Sequence, residues 1–272
     1  MLDDIVKNVV GARHAVLLSA DGLPRASTEG LAEGDLRTIS TAMSGIQALS
    51  RATAPFVGTA ANAAWTQTVI EFGHGWIFLI GAGQGAYLAA AAEPDVDMQQ
   101  ISYRMHRLVA RLGHNMTSAP RVEGAGQGGR HGSPEPAPGE DTAEVLRELD
   151  QAVAGVNGAR HAVLLGGNGL PRGATAGLPR DLADRICAAM TGIHANSRAA
   201  AQFAGPVANV VWQQTAIEFQ HGWILLIAAG DGALLAASAD HDCNIEALTA
   251  RLHEVEPKIA ASAVAGRVPG NA

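Results

Sequence analysis

Residues 11–18 read GARHAVLL, and residues 158–165 read GARHAVLL again. The same offset of 147 (158 − 11) carries Gly22-Leu23-Pro24-Arg25 onto Gly169-Leu170-Pro171-Arg172 without a gap. It also carries Ala42-Met43-Ser44-Gly45-Ile46 onto Ala189-Met190-Thr191-Gly192-Ile193, and WTQTVIEF at 65–72 onto WQQTAIEF at 212–219. His74-Gly75-Trp76-Ile77 falls on His221-Gly222-Trp223-Ile224 in the same register. Agreement over this length is an internal duplication, so the fold question concerns one small unit used twice.

Within the first copy, Leu2, Ile5, Val6, Val9 and Val10 form the stripe of a short helix stopped by Gly11, repeated from about 142 to 155. His14 to Ser19 is a β-rich apolar run closed by Asp21-Gly22, after which Arg25 to Thr28 pairs back as a hairpin strand. Residues 34–53, and 181–200 in the second copy, carry the longest helical pattern, with Ile39, Met43, Ile46 and Leu49 on one stripe. A second stripe on that helix stays small in both copies: Thr41, Gly45, Ala48 and Ala52 match Ala188, Gly192, Ala195 and Ala199. Small side chains at this spacing let another helix approach closely, which makes these eight residues candidates for an interface; helix-favouring alanine is the plainer explanation. Three strands follow, Trp65 to Phe72, Trp76 to Ala82 and Ala86 to Ala92, joined by glycine turns. Trp76-Ile77-Phe78-Leu79-Ile80 is apolar on both alternating faces, which a strand needs when it is covered on both sides. The last helix, about 96 to 115, presents Ile101, Met105, Leu108, Val109 and Leu112; its counterpart contains Pro257, which is expected to end or kink it.

At 272 residues the chain is long enough for two domains, and 47% apolar content supplies two cores. The pattern divides it into domain 1 at 1–116, a disordered Gly/Pro linker at 117–141, domain 2 at 142–260 and a disordered tail at 261–272. The linker carries repeated Gly and Pro and almost no bulky apolar residue, too little to offset the entropy of ordering it. A net charge of −7 gives no basic footprint for nucleic acid, and the acidic start Met1-Leu2-Asp3-Asp4 does not resemble a signal peptide. No apolar run reaches the length of a membrane span, and two unpaired cysteines fit a reducing cytoplasm.

Candidate chemistry is thin. Gly81-Ala82-Gly83-Gln84-Gly85 is followed by a strand and has no Lys, so it reads as a hairpin turn and not a phosphate loop. His14, His161, His74 and His221 recur but have no ligand-spaced partner, and Glu71 and Glu218 alternate with apolar residues as a solvated strand face would. Cys187 and Cys243 read as small core hydrophobes. Arg13, Arg25 and Arg51 recur as Arg160, Arg172 and Arg198; the last of each set sits near a helix C-terminus, which the dipole favours, and the others read as surface charges. The expectation is no catalytic residue, metal or cofactor.

The order helix, hairpin, long helix, three-stranded meander, helix, with HAVLLSADGLP near the start and GWIFLIGAGQGAYLAA near the end, resembles the roadblock family of dynein-light-chain-like proteins. The likeness is to its bacterial branch and spans about 2–115 and 144–256, with Asn168-Gly169-Leu170 standing where the first copy has Asp-Gly-Leu. It implies an α/β fold: two tandem α/β/α modules, each a mainly antiparallel five-stranded sheet with one long helix on one face and two helices on the other. It further implies that such modules dimerise, within or between chains, with long helices packed together and sheets running on across the pair, and that they regulate or scaffold small Ras-like GTPases without catalysis of their own. The alternative is a small-ligand sensor or signalling adaptor of the same fold, since compact modules of this kind enclose pockets.

Overall fold

The computed structural model describes residues 2–19, 21–58, 64–83, 85–112, 140–206 and 208–265. The first copy runs α1 (Asp3–Asn8), β1 (Ala12–Leu18), β2 (Pro24–Ser27), α2 (Glu33–Ala52), a 3-10 turn (Ala54–Phe56), β3 (Trp65–Phe72), β4 (Gly75–Gly81), β5 (Tyr87–Ala92) and α3 (Met98–Leu112). The second runs α4 (Glu140–Ala154), β6 (Ala159–Leu165), β7 (Pro171–Ala174), α5 (Arg180–Ala199), α6 (Ala201–Ala204), β8 (Trp212–Phe219), β9 (Gly222–Ala228), β10 (Leu234–Asp240) and α7 (Ile245–Ala265). The strands of the described residues join one sheet in the order β2-β1-β5-β4-β3-β8-β9-β10-β6-β7. The order reads the same from either end once the copies are exchanged, and β3 and β8 pair antiparallel at its centre.

Alternation along the strands sorts the core into layers. Val16 and Leu18 of β1 and Ile77 and Leu79 of β4 face α2, while Ala15, Leu17, Phe78 and Ile80 face α1 and α3. The second copy repeats this with Ile224 and Leu226 on the α5 side and Leu225 and Ile227 against α4 and α7. The two faces differ in one respect. On the α1/α3 and α4/α7 side each copy has its own cluster, but on the α2/α5 side a single cluster runs through both.

The hairpin turn needs its glycine. Gly22 sits at φ +77°, and a Cβ there would lie 2.7 Å from Ser44 Oγ; Gly169, also at φ +77°, meets Thr191 Oγ1 at 2.9 Å. Thr28 then ties the end of the hairpin down, its hydroxyl oxygen accepting from the Ala15 N–H at 3.0 Å, as Thr175 does from Ala162 at 2.9 Å.

Three boundaries differ from expectation. α1 ends at Asn8, because Val9 is already extended, and Val10, expected on the buried stripe, is 91% exposed. α7 passes through Pro257 to Ala265, five residues into the stretch expected as tail. Proline removes one intrahelical bond but leaves the flanking turns free to continue, and Lys258, just beyond it, is held to Glu148 of α4 at 2.6 Å. α4 begins at Glu140, inside the expected linker; residues 113–139 and 266–272, which hold the rest of the linker and tail, lie outside the described residues. No helix of the described residues is long and apolar enough to cross a membrane.

Candidate functional site

Where the copies meet, α2 and α5 pack against each other on one face of the sheet. A Cβ on Gly45 would lie 2.9 Å from Asn196 Oδ1, and one on Gly192 would lie 2.6 Å from Leu49 Cδ1. With the offset of 147, Gly192 is the counterpart of Gly45 and Asn196 that of Leu49, so the two contacts are one contact made twice about a pseudo-two-fold axis. The helices cross antiparallel at the two glycines.

The eight small residues separate in the structure. Gly45 and Gly192 are half-buried at the crossing, while Thr41, Ala48, Ala52, Ala188, Ala195 and Ala199 are exposed on the outer side of the pair. Thr41 and Ala199 border a shallow groove of about 300 Å³ with Arg37, Thr38 and Asn196. Leu49 and Asn196 complete the crossing, a role the small-residue pattern did not reveal, although their spacing of four from each glycine puts them on its face of the helix. Gly45→Ala and Gly192→Ala are expected to be neutral or to stabilise by up to about 1 kcal/mol, since alanine favours helix and the obstructing atoms are the ends of side chains and not backbone. Urea denaturation of each variant checks this; a loss above about 1 kcal/mol would show a crossing that only glycine fits.

On the sheet, Thr68 faces Ile217, Val69 faces Ala216 and Ile70 faces Thr215. Gln67 donates to Glu218 at 2.6 Å and Gln214 to Glu71 at 2.5 Å, again one contact made twice. Glu71 and Glu218 are thus half-buried at the seam, not on the freely solvated face expected of them. The expectation failed because the partners lie 143 and 151 residues away, beyond any local pattern. His74 reaches across as well, its Nε2–H donating to the Ala201 carbonyl at 3.0 Å.

His14 of the first copy stacks near Phe203 of the second, with centroids 6.3 Å apart. Burial, and secondarily the adjacent Arg13, pushes the His14 pKa down, and His161 is lowered by burial and Arg160 in the same way. His194 of α5, also lowered by burial and Arg198, sits edge-on to Trp212 at 4.6 Å. Arg13 pairs with Glu93 at 3.6 Å and lies against Gly205 of the other copy, as Arg160 pairs with Asp240 and lies near Gly58. Arg51 and Arg198 occupy the last turns of α2 and α5. Cys187 is buried, its thiol pushed up to about 12, which makes it a core hydrophobe in behaviour. Among the described residues no group of three or more His, Cys, Asp or Glu is placed to hold a metal.

Several solved structures are similar to parts of this chain. A roadblock/LC7 domain from Streptomyces avermitilis is 24% identical, covering 44% of this chain and 97% of its own, with a TM-score of 0.39. The gliding protein MglB from Thermus thermophilus is 22% identical over 48% of this chain and 94% of its own, with a TM-score of 0.40. MglC from Myxococcus xanthus is 18% identical over 43% of this chain and 98% of its own, with a TM-score of 0.29. No curated protein matches the chain. The Roadblock/LC7 domain model matches residues 1–92 and again 145–239, more than half of the sequence, and the chain therefore belongs to the Roadblock/LC7 family with two copies of its domain.

Proposed function

We propose that the protein is a non-enzymatic regulator or scaffold of a small Ras-like GTPase, which docks on the outer side of the α2/α5 pair. One observation carries the reading. Thr41, Ala48, Ala52, Ala188, Ala195 and Ala199 bring two copies of a small-residue stripe onto one exposed surface that neither copy possesses alone. Once the helix crossing is accounted for by Gly45, Leu49, Gly192 and Asn196, internal packing leaves these six without a role. Membership of the Roadblock/LC7 family supports a partner of this class. The surface is also directional: Arg37 on α2 corresponds to Asp184 on α5, and Thr41 to Ala188, so a partner meets unlike ends and takes one orientation.

Mixing the full chain with small Ras-like GTPases from the same genome, loaded with GDP or a GTP analogue, tests this. The expected result is a complex containing one 27.9 kDa chain, or a changed rate of hydrolysis or exchange. Ala48→Arg combined with Ala195→Arg is expected to weaken it by about a hundredfold while leaving the melting midpoint unchanged, because both sites are exposed. Absence of any complex and of any rate effect would sink the proposal.

A further inference from the structure

Beside the end of the helix pair lies a cavity of about 490 Å³ that is walled by both copies, a volume within the range of small-molecule sites. The first copy contributes His14 of β1 and Asp35, Thr38 and Ile39 of α2; the second contributes Gln202 and Phe203 of α6. The polar groups on the α2 wall are acceptors. Thr38 spends its proton on the Gly34 carbonyl at 3.2 Å, which leaves its oxygen lone pairs for a ligand. The Asp35 carboxylate accepts only, and among the described residues it has no salt-bridge partner. Ile39 lies on the same helix as these acceptors, and the second copy closes the cavity with Phe203, whose ring is almost wholly buried and stacks near His14. The nearby Arg13 is engaged by Glu93 at 3.6 Å.

The duplication provides an internal control. The equivalent positions in the other half keep the ring and the apolar wall as His161, Ile186 and Phe56. The acceptors are gone: Leu182 stands for Asp35, Arg185 for Thr38 and Pro55 for Gln202. Favouring the helix dipole does not require a carboxylate at this position, because α5 meets that need with Asp181, one position earlier in the repeat. The acceptor set is therefore particular to one of two otherwise matched places.

From these residues we infer that the cavity is a binding site for a compact organic cation, an amine or amidine, with its donors on the Asp35 carboxylate and the Thr38 hydroxyl oxygen. The site is independent of the GTPase reading and stands or falls separately. Titrating the full chain with benzamidine, followed by amide chemical shifts, tests it. Saturable shifts at His14, Ala199 and Gln202 are expected, with benzoate, of the same shape and opposite charge, giving none. Asp35→Leu, which installs the residue of the second copy, and the isosteric Asp35→Asn are each expected to weaken binding about tenfold or more at an unchanged melting midpoint. Shifts scattered away from the cavity, equal binding of benzoate, or undiminished affinity in both variants would overturn the assignment.

Discussion

Gly75→Ala and Gly222→Ala are each expected to destabilise the protein by at least about 3 kcal/mol, more than any exposed substitution. A Cβ on Gly75 would run into the Ala92 carbonyl oxygen of its own copy and lie 2.9 Å from the Ala204 carbonyl oxygen of the other. One on Gly222 would collide with the Ala239 carbonyl oxygen and lie 2.5 Å from Val57 Cγ1 of the first copy. These are one cradle built twice, since Ala239 and Ala204 are the counterparts of Ala92 and Val57. Most of the obstructing atoms are backbone, in a close-packed interior that has no cheap way to yield. The strain falls on the sheet and on the contact between copies together. Gly83→Ala is the control: it too has a positive φ, +77°, but nothing lies within 4 Å, so only about 1 kcal/mol of backbone strain is expected. Urea denaturation decides the matter, and values below about 1 kcal/mol at both cradle glycines would show that the approach is looser than described.

Phe72→Ala and Phe219→Ala are expected to cost about 3 to 5 kcal/mol each, the usual range for emptying a buried phenylalanine site. Both rings are buried, at 2% and 0% exposure, in the cluster that runs through both copies on the α2/α5 face. Continuity of that cluster adds a second expectation. Unfolding is one cooperative transition for the whole chain, and a cavity in either copy lowers the midpoint of both. Tryptophan fluorescence reports on each half, through Trp65 and Trp76 or through Trp212 and Trp223, and is expected to coincide with far-UV circular dichroism. Two separated transitions, only one of them moved by Phe219→Ala, would show that each copy folds on its own and that the shared cluster adds little.

The elements that local patterning specifies were legible almost to the residue. The strand expected over 65–72 is β3, the helices expected over 34–53 and 181–200 are α2 and α5 within one residue, and the turn glycines stand at positive φ as hairpin chemistry requires. Their signals are short-range: periods of 2 and 3.6, and turn residues at set offsets. Errors fell where a neighbour distant in sequence decided the outcome. Glu71 and Glu218 alternate like solvated strand residues and are instead bound by Gln214 and Gln67 across the seam. Of the two outcomes expected of Pro257, an end or a kink, the end does not occur: α7 runs on past it with Lys258 held to Glu148. Of the eight small residues offered as an interface, the structure places the two glycines at the helix crossing and leaves Thr41 and the five alanines exposed.

From the amino acids alone came the duplication, the makeup of each copy and the two-faced burial of the central strands, because repetition and periodicity are written along the chain. The family resemblance implied a sheet running on across a pair of modules; only the tertiary structure decided that the two copies of one chain make that pair, with a shared core, which residues meet at the pseudo-two-fold, and that a cavity opens beside His14. Two identical units offer identical edges, and local sequence carries no record of which edge a second copy will cover. That choice is made when packing buries one set of faces against another, where contacts depend on three-dimensional fit between residues some 150 positions apart.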